Sequence, residues 1–279
     1  FYAFRTRYAV MITANAAGGT HKFQKIVKFR NLEHLGKLVS PHSYRILKKD
    51  CLDIPDKIFT KRDIELSEEQ QKAYQEMKSN AMTILKDKSM TAVNVLTQLI
   101  RLHQITCGHM KTDDDEVIEL KNNRLNELMQ ILGETTGKVI IWANYIYDIH
   151  TIEKAVKEEF GPKSYCTYYG GTKQEDRQDC ITKFQEESNP VRFFIGNTQT
   201  GGYGITLTAA STVIYYSNNY DLEKRIQSED RAHRIGQKNK VLYIDLVAKG
   251  TVDEKIIQSL RNKVNIAKQI SGEELVNWI

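Results

Sequence analysis

Residues 227–237 read QSEDRAHRIGQ, and Gln227, Arg231 and Arg234 stand at i, i+4 and i+7. On an α-helix that spacing puts all three side chains on one stripe, with Leu222 and Ile226 offering an apolar side to a sheet. Two guanidinium groups held side by side present rigid planar forks, suited to a multivalent oxyanion such as the terminal phosphates of a nucleotide. The competing reading is a solvated face in which Glu229 and Asp230 act as local partners, and surface ion pairs of that kind contribute only about 0–1 kcal/mol. Gly236 can adopt the left-handed conformation that stops a helix. His233, between the arginines, faces partly away from them, as a positioning group would.

A second stretch adds context. Residues 196–211, GNTQTGGYGITLTAAS, follow one apolar run and precede another. Gly201, Gly202 and Gly204 let the backbone come close to a ligand at a helix start, and open α/β sheets bind ligands at such turns beyond their strands. Taken alone, the glycines are equally compatible with a tight turn that holds nothing.

The elements that would position these groups form an alternating pattern. Five short apolar runs, 138–143, 164–169, 191–196, 211–216 and 241–247, predict parallel strands, several of them apolar on both faces. Helices are expected between them at about 147–160, 173–187, 201–209 and 222–234, with a last one from Val252 to about Ile270. The N-terminal part carries long helical signals and little strand signal. Ser67 and Gln70 have the spacing of a capping box at the head of one helix. Val93, Leu96, Leu99, Ile100 and His103 mark one face of another. The acidic loop TDDDE at 112–116 places an expected boundary, with 1–115 as a helical unit and 116–279 as an α/β domain.

Composition narrows the class. Hydrophobic residues make up 41% and charged residues 27% of 279, which excludes a disordered or fibrous chain. A net charge of +5 permits a phosphate-bearing partner without demanding one. Four dispersed cysteines, with no CxxC, suggest a reducing compartment and no disulfide framework. His103, Cys107 and His109 offer ligand types for zinc but no fourth ligand, so a packed helix end is expected there and no metal. Trp142, Tyr168 and Tyr169 sit in predicted strands and are expected in the core. No apolar run reaches a membrane span, and the first residue, Phe1, suggests a piece of a longer protein.

Taken together, TQTGGYGITLTAAS, VIYYSNNY, QSEDRAHRIGQ and GTVDEKI, in that order, resemble motifs V and VI of the Swi/Snf-type ATPases of helicase superfamily two. GKVIIWANYIYDI is similar to that family's motif IV, YYGGTKQEDRQDCITKFQ to the segment after it, and LIRLHQITCGHM to the helical protrusion between its two lobes. Two positions depart from the family pattern: Ile46 follows Arg45 where paired arginines are usual, and Thr206 stands where an Asn or Asp is usual. GETTGKV, at 133–139, does not have the spacing of a phosphate-binding loop.

The resemblance implies an α/β fold, a RecA-like parallel sheet with helices on both faces, preceded by an α-helical protrusion. It implies that 1–115 hold the end of a first lobe and the helical protrusion, and 116–279 the second motor lobe of an ATP-dependent double-stranded DNA translocase, with ATP and Mg²⁺ bound mainly by the part of the first lobe outside this sequence, so this chain alone is expected to be inactive. Arg231 and Arg234 would complete the nucleotide pocket, Arg234 as the arginine finger. Gln227, Gly202, Gly204 and Thr206 would lie near the nucleotide. Gly170, Gly171, Thr172 and Thr198 would hold one DNA strand through backbone and hydroxyl groups. Lys173 and Arg177 stay unassigned. An RNA helicase lobe of the same superfamily and a non-catalytic binding module are the alternatives. The lack of long insertions resembles small bacterial, phage or annealing-type members, which favours the cytoplasm of a bacterial or phage-infected cell and leaves a nucleus open.

Overall fold

The computed structural model describes residues 1–15, 22–44, 51–86, 92–112, 114, 116–201 and 204–271. The chain opens with α1 (Tyr2–Tyr8), the antiparallel hairpin β1 (Ala9–Asn15) and β2 (Lys22–Phe29), and α2 (Leu32–Val39). Strand β3 (Lys57–Ile64) precedes α3 (Glu68–Lys86) and α4 (Ala92–Cys107), and a small hairpin, β4 (His109–Lys111) and β5 (Val117–Glu119), follows. The remainder runs α5 (Asn123–Glu134), β6 (Lys138–Trp142), α6 (Ile146–Phe160), β7 (Tyr165–Tyr168), α7 (Gln174–Gln185), β8 (Phe193–Gly196), α8 (Thr198–Gly201), β9 (Ala210–Tyr215), α9 (Leu222–Ala232), β10 (Val241–Ala248) and α10 (Val252–Ser271).

All five expected strands form, in a six-stranded parallel sheet of order β3-β10-β9-β6-β8-β7. The sixth strand was not expected. β3 pairs along β10 from Lys57↔Val241 to Ile64↔Ala248, and its alternation is hidden because Lys57, Lys61 and Arg62 place charges on an edge strand.

Both sheet faces are covered, which is why the strands are continuously apolar. Val139 and Ile141 of β6 pack with Leu128, Ile131 and Leu132 of α5 and with Ile149, Ile152 and Val156 of α6. On the other face Ile140 and Trp142 pack with Phe184 of α7, Ala232 of α9, Ile205 and Leu207. Full burial of each large apolar side chain contributes about 1.5–3 kcal/mol. Trp142 and Tyr168 are core residues, as expected. A third cluster joins Tyr74 of α3, Leu102 and Ile105 of α4, and Val252, Ile256 and Leu260 of α10.

The capping box forms: the Gln70 amide donates to Ser67 Oγ at 3.1 Å and the Ser67 amide to Gln70 Oε1 at 3.2 Å. Three other expectations need correction. No helix spans 201–209: after α8, Gly204 takes φ +69, and Ile205 and Leu207 bury alternately as an extended chain does. β-Branched Ile205, Thr206 and Thr208 favour that conformation. In α4, Leu96 is 59% exposed and Leu99 and Ile100 are exposed too, while Leu102, His103, Ile105 and Thr106 face inward. The tertiary contact to α10 therefore selects the neighbouring stripe. Finally, Cys166 of β7 and Cys180 of α7 are joined as a disulfide, with Cα atoms 5.5 Å apart. The strand-to-helix turn brings together two cysteines whose separation of 14 residues had not suggested a pair.

Candidate functional site

Helix α9 is capped by Asp221, whose side chain accepts from the Lys224 amide at 3.2 Å. Its sheet-facing side is polar, the reverse of the expected arrangement: Ile226 is 42% exposed, while Arg225, Ser228, Glu229 and Ala232 are buried. The inward charges are matched. Arg225 donates from Nε to Glu229 at 2.9 Å, from Nη1 to Asp245 of β10 at 2.5 Å and to Asn218 at 2.7 Å, and its guanidinium stacks 3.4 Å from the centre of the Tyr215 ring. Burial works against the Arg225 charge, but Asp245, Tyr215 and Glu229 hold it, so its pKa rises. Tyr243 donates to the Glu229 carbonyl at 2.8 Å. Lys57 of β3 bonds Glu229 at 3.0 Å and Asp230 at 3.3 Å. These contacts fix the helix to the sheet and give both local acids partners outside the arginine stripe.

The stripe itself is shorter than expected. Gln227 and Arg231 lie on α9, but the helix ends at Ala232, so Arg234 belongs to the turn that follows. That turn is held from three sides. The Gln237 amide donates to the Arg234 carbonyl at 3.0 Å. Gln237 Nε2 donates to the carbonyls of Thr208, Ala210 and Ala232 at 2.9–3.1 Å. His233 Nε2 lies 2.8 Å from the Pro55 carbonyl, which makes His233 a positioning residue. Gly236 takes φ +98 within the turn rather than directly after the helix. Gln227 donates to Glu223, one turn earlier, at 2.9 Å.

Arg231 is half-buried; its Nη1 reaches the Ile205 carbonyl at 3.4 Å, and its own carbonyl accepts from the Leu207 amide at 2.9 Å. Arg234 is exposed. Burial and then the nearby Arg234 charge lower the Arg231 pKa, against the pull of Asp230. Two cations thus share one region at the end of α9, one braced by the protein and the other open to solvent.

The proposed DNA-contacting residues lie elsewhere. Gly170, Gly171 and Thr172 follow the carboxyl end of β7, and Thr198 follows that of β8. The arginine turn instead bonds Ala210, the first residue of β9, and Pro55, just before β3, so it sits by the amino ends of the strands. The chain from Gly204 to Thr208 connects the two edges, with Thr206 half-buried on the way. Gly202 lies outside the described residues, as does Arg45.

At the carboxyl edge Gly170 and Gly171 are exposed and Thr172 is half-buried. Thr172 Oγ1 accepts from the Tyr169 amide at 3.2 Å and donates to the Thr167 carbonyl at 3.4 Å. Arg177 braces the turn, donating to the carbonyls of Tyr169 and Gly170, both at 3.0 Å. Thr198 is 8% exposed. Next to it, Asn197 donates to the Asn144 carbonyl at 2.8 Å, and the Asn144 amide donates to Ser217 Oγ at 2.8 Å. Ser217 donates to Asp148 at 3.3 Å, and His109 Nδ1 lies 3.1 Å from the same carboxylate. An asparagine follows each of β6, β8 and β9 within three residues, a signal that was open to sequence reading.

The histidines at the end of α4 are part of this packing. His103 Nδ1 lies 2.8 Å from the Tyr145 hydroxyl, and burial lowers its pKa. Asp253 bonds Arg124, Thr106 and the Ala248 amide. No group of three metal-ligating side chains forms among the described residues, and no described helix is long and apolar enough to cross a membrane.

Residues 120–236 match the helicase conserved C-terminal domain. An uncharacterized ATP-dependent helicase of Mycoplasma genitalium, MG018, is 30% identical over 91% of this chain and 26% of its own length. Protein CHROMATIN REMODELING 4 of Arabidopsis thaliana is 28% identical over 92% of this chain and 13% of its own length. This chain thus spans about a quarter or less of these curated relatives. The Sulfolobus solfataricus SWI2/SNF2 ATPase core in complex with dsDNA superposes with a TM-score of 0.60 at 26% identity, covering 87% of this chain and 56% of that one. Sequence and fold agree: the chain is a RecA-like C-terminal lobe of the Swi2/Snf2 helicase family.

Proposed function

We propose that this chain is the second motor lobe of an ATP-dependent double-stranded DNA translocase. The observation that carries the reading is the pairing of Arg231 and Arg234 at a turn locked by Gln237, where an anion would relieve the repulsion between two neighbouring cations. ATP and Mg²⁺ held on a preceding RecA-like lobe would supply that anion. Arg234, the exposed member, acts as the arginine finger, and Arg231, braced on the Ile205 carbonyl, fixes the depth of the cleft. Thr206 and Gly204 lie on the approach to the nucleotide, the family resemblance assigns Gly202 to the same role, and Gln227 steadies α9.

The carboxyl edge holds the DNA backbone. Gly170 and Gly171 offer exposed main-chain groups, and Thr172 and Thr198 keep the two turns in place, so the contact is indifferent to sequence. Closure of the two lobes over ATP and their release after hydrolysis then shift one grip relative to the other. The dsDNA complex of the Sulfolobus relative supports duplex DNA as the track.

The test uses the full-length protein. Arg234→Ala should lower DNA-stimulated ATP hydrolysis by about 10³-fold or more while duplex binding persists. Retained turnover removes the finger assignment, and stimulation by RNA but not duplex DNA removes the translocase reading.

A further inference from the structure

Charge is distributed unevenly along this chain. Residues 1–39, which hold α1, the hairpin and α2, contain seven Lys and Arg but only one acid, Glu33, a formal +6 against +5 for the whole chain. The other 240 residues are therefore net −1, so the overall charge conceals a cationic N-terminal unit. Arg7, Lys28, Arg30 and Lys37 are exposed, and Arg5 is half-exposed. Lys28 stands opposite Val10 across the β1–β2 hairpin, and Lys37 lies in the last turn of α2.

Among the described residues, the three arginines contact neutral groups. Arg7 Nη2 lies 3.3 Å from His34 Nε2, Arg30 donates to the Thr6 carbonyl, and Arg5 lies 5.5 Å from the centre of the Phe1 ring. Such contacts orient a guanidinium without cancelling its charge. The unit is also anchored: α2 packs on α10, and Val27, Phe29, Leu32 and Ile266 line a shared cleft. A cationic surface on a fixed support attracts a polyanion of regular charge spacing far better than it attracts scattered acidic side chains.

We propose that the surface formed by α1, the β1–β2 hairpin and α2 is an additional, sequence-independent contact for the phosphate backbone of duplex DNA. This rests on the reading of the chain as a DNA motor, but it involves neither the arginine turn nor the glycine turn. It adds electrostatic grip outside the motor motifs, so the lobe keeps hold of its track while the motif contacts break.

The experiment measures duplex affinity of the full-length protein between about 50 and 200 mM salt, for the wild type and for a triple variant, Arg7→Glu, Lys28→Glu and Lys37→Glu. A milder set with Gln at the same positions serves if the reversals fail to fold. Each lost phosphate contact lowers the slope of log affinity against log salt by about 0.9. A slope reduced by about 2–3, with affinity at least tenfold weaker near 100 mM salt, supports the proposal. An unchanged slope overturns it, as does a lowered melting temperature with unchanged DNA affinity, which would mark the surface as a protein-docking face. If the wild type binds no duplex at all, the motor reading fails together with this one; wild-type binding with an unaffected variant removes this proposal alone.

Discussion

Arg225 of α9 and Asp245 of β10 meet as a buried pair of forks, Nη1 to Oδ1 at 2.5 Å and Nη2 to Oδ2 at 3.1 Å. The pair lies between the helix that carries the arginine turn and the sheet beneath it. Breaking one side of such a pair strands the other charge. Arg225→Ala should cost about 3–5 kcal/mol, whereas a matched apolar pair, Arg225→Met with Asp245→Leu, should cost far less or nothing. Urea denaturation of the three proteins separates the two outcomes.

Gln237 distributes one side-chain amide over three carbonyls, those of Thr208, Ala210 and Ala232. Gln237→Ala leaves buried acceptors unsatisfied and should cost about 1–3 kcal/mol. Because the same bonds hold the Arg234 turn, kcat for DNA-stimulated hydrolysis should fall more than duplex affinity does. Equal losses in both would show that the turn has no specific link to turnover.

Gly196 closes β8 beneath its neighbours. A methyl added there would lie 2.9 Å from the Tyr168 carbonyl and 3.0 Å from the Trp142 ring. Overpacking of this kind costs about 1–3 kcal/mol, so Gly196→Ala should lower the unfolding midpoint and displace Asn197 and Thr198 with the strand end. By contrast, Gly161→Ala has open space around it, and its cost comes from a φ of +87 with a ψ of 163, a region essentially reserved for glycine, at about 1–3 kcal/mol.

His103 is buried against Tyr145 and Asp253, and burial lowers its pKa. The unfolded chain then binds a proton near the ordinary value of about 6.5 while the folded chain does not. Stability should therefore fall as pH drops below about 6.5, and His103→Gln should flatten that limb. Asp253 acts at lower pH: burial opposes its charge, but Arg124 and His103 depress its pKa, so its contribution is present above the ordinary carboxylate range and lost on further acidification. Denaturant titrations across about pH 2–8 would show both limbs.

Period and spacing were enough to read the alternating strands and helices from Lys138 onward, apart from the helix expected over 201–209, together with the capping box at Ser67 and Gln70 and the ordered run of Gly201–Gly204 and Arg231–Arg234, because each depends on neighbours within a few residues. The family resemblance rested on those local runs, and the comparisons agree with it. Three outcomes depended on partners far along the chain. β3 looked charged until β10 covered its other side, α4 turned a different stripe inward because α10 reached it first, and α9 buried Arg225 because Asp245 waited on β10. The same holds for the site: local sequence supplied the residue types, but the sheet put the glycine turn at the carboxyl ends of its strands and the arginine turn at the amino ends. Helical and strand periods encode which residues share a face, whereas the direction that face takes is set by whichever distant element can bury it or neutralise its charge.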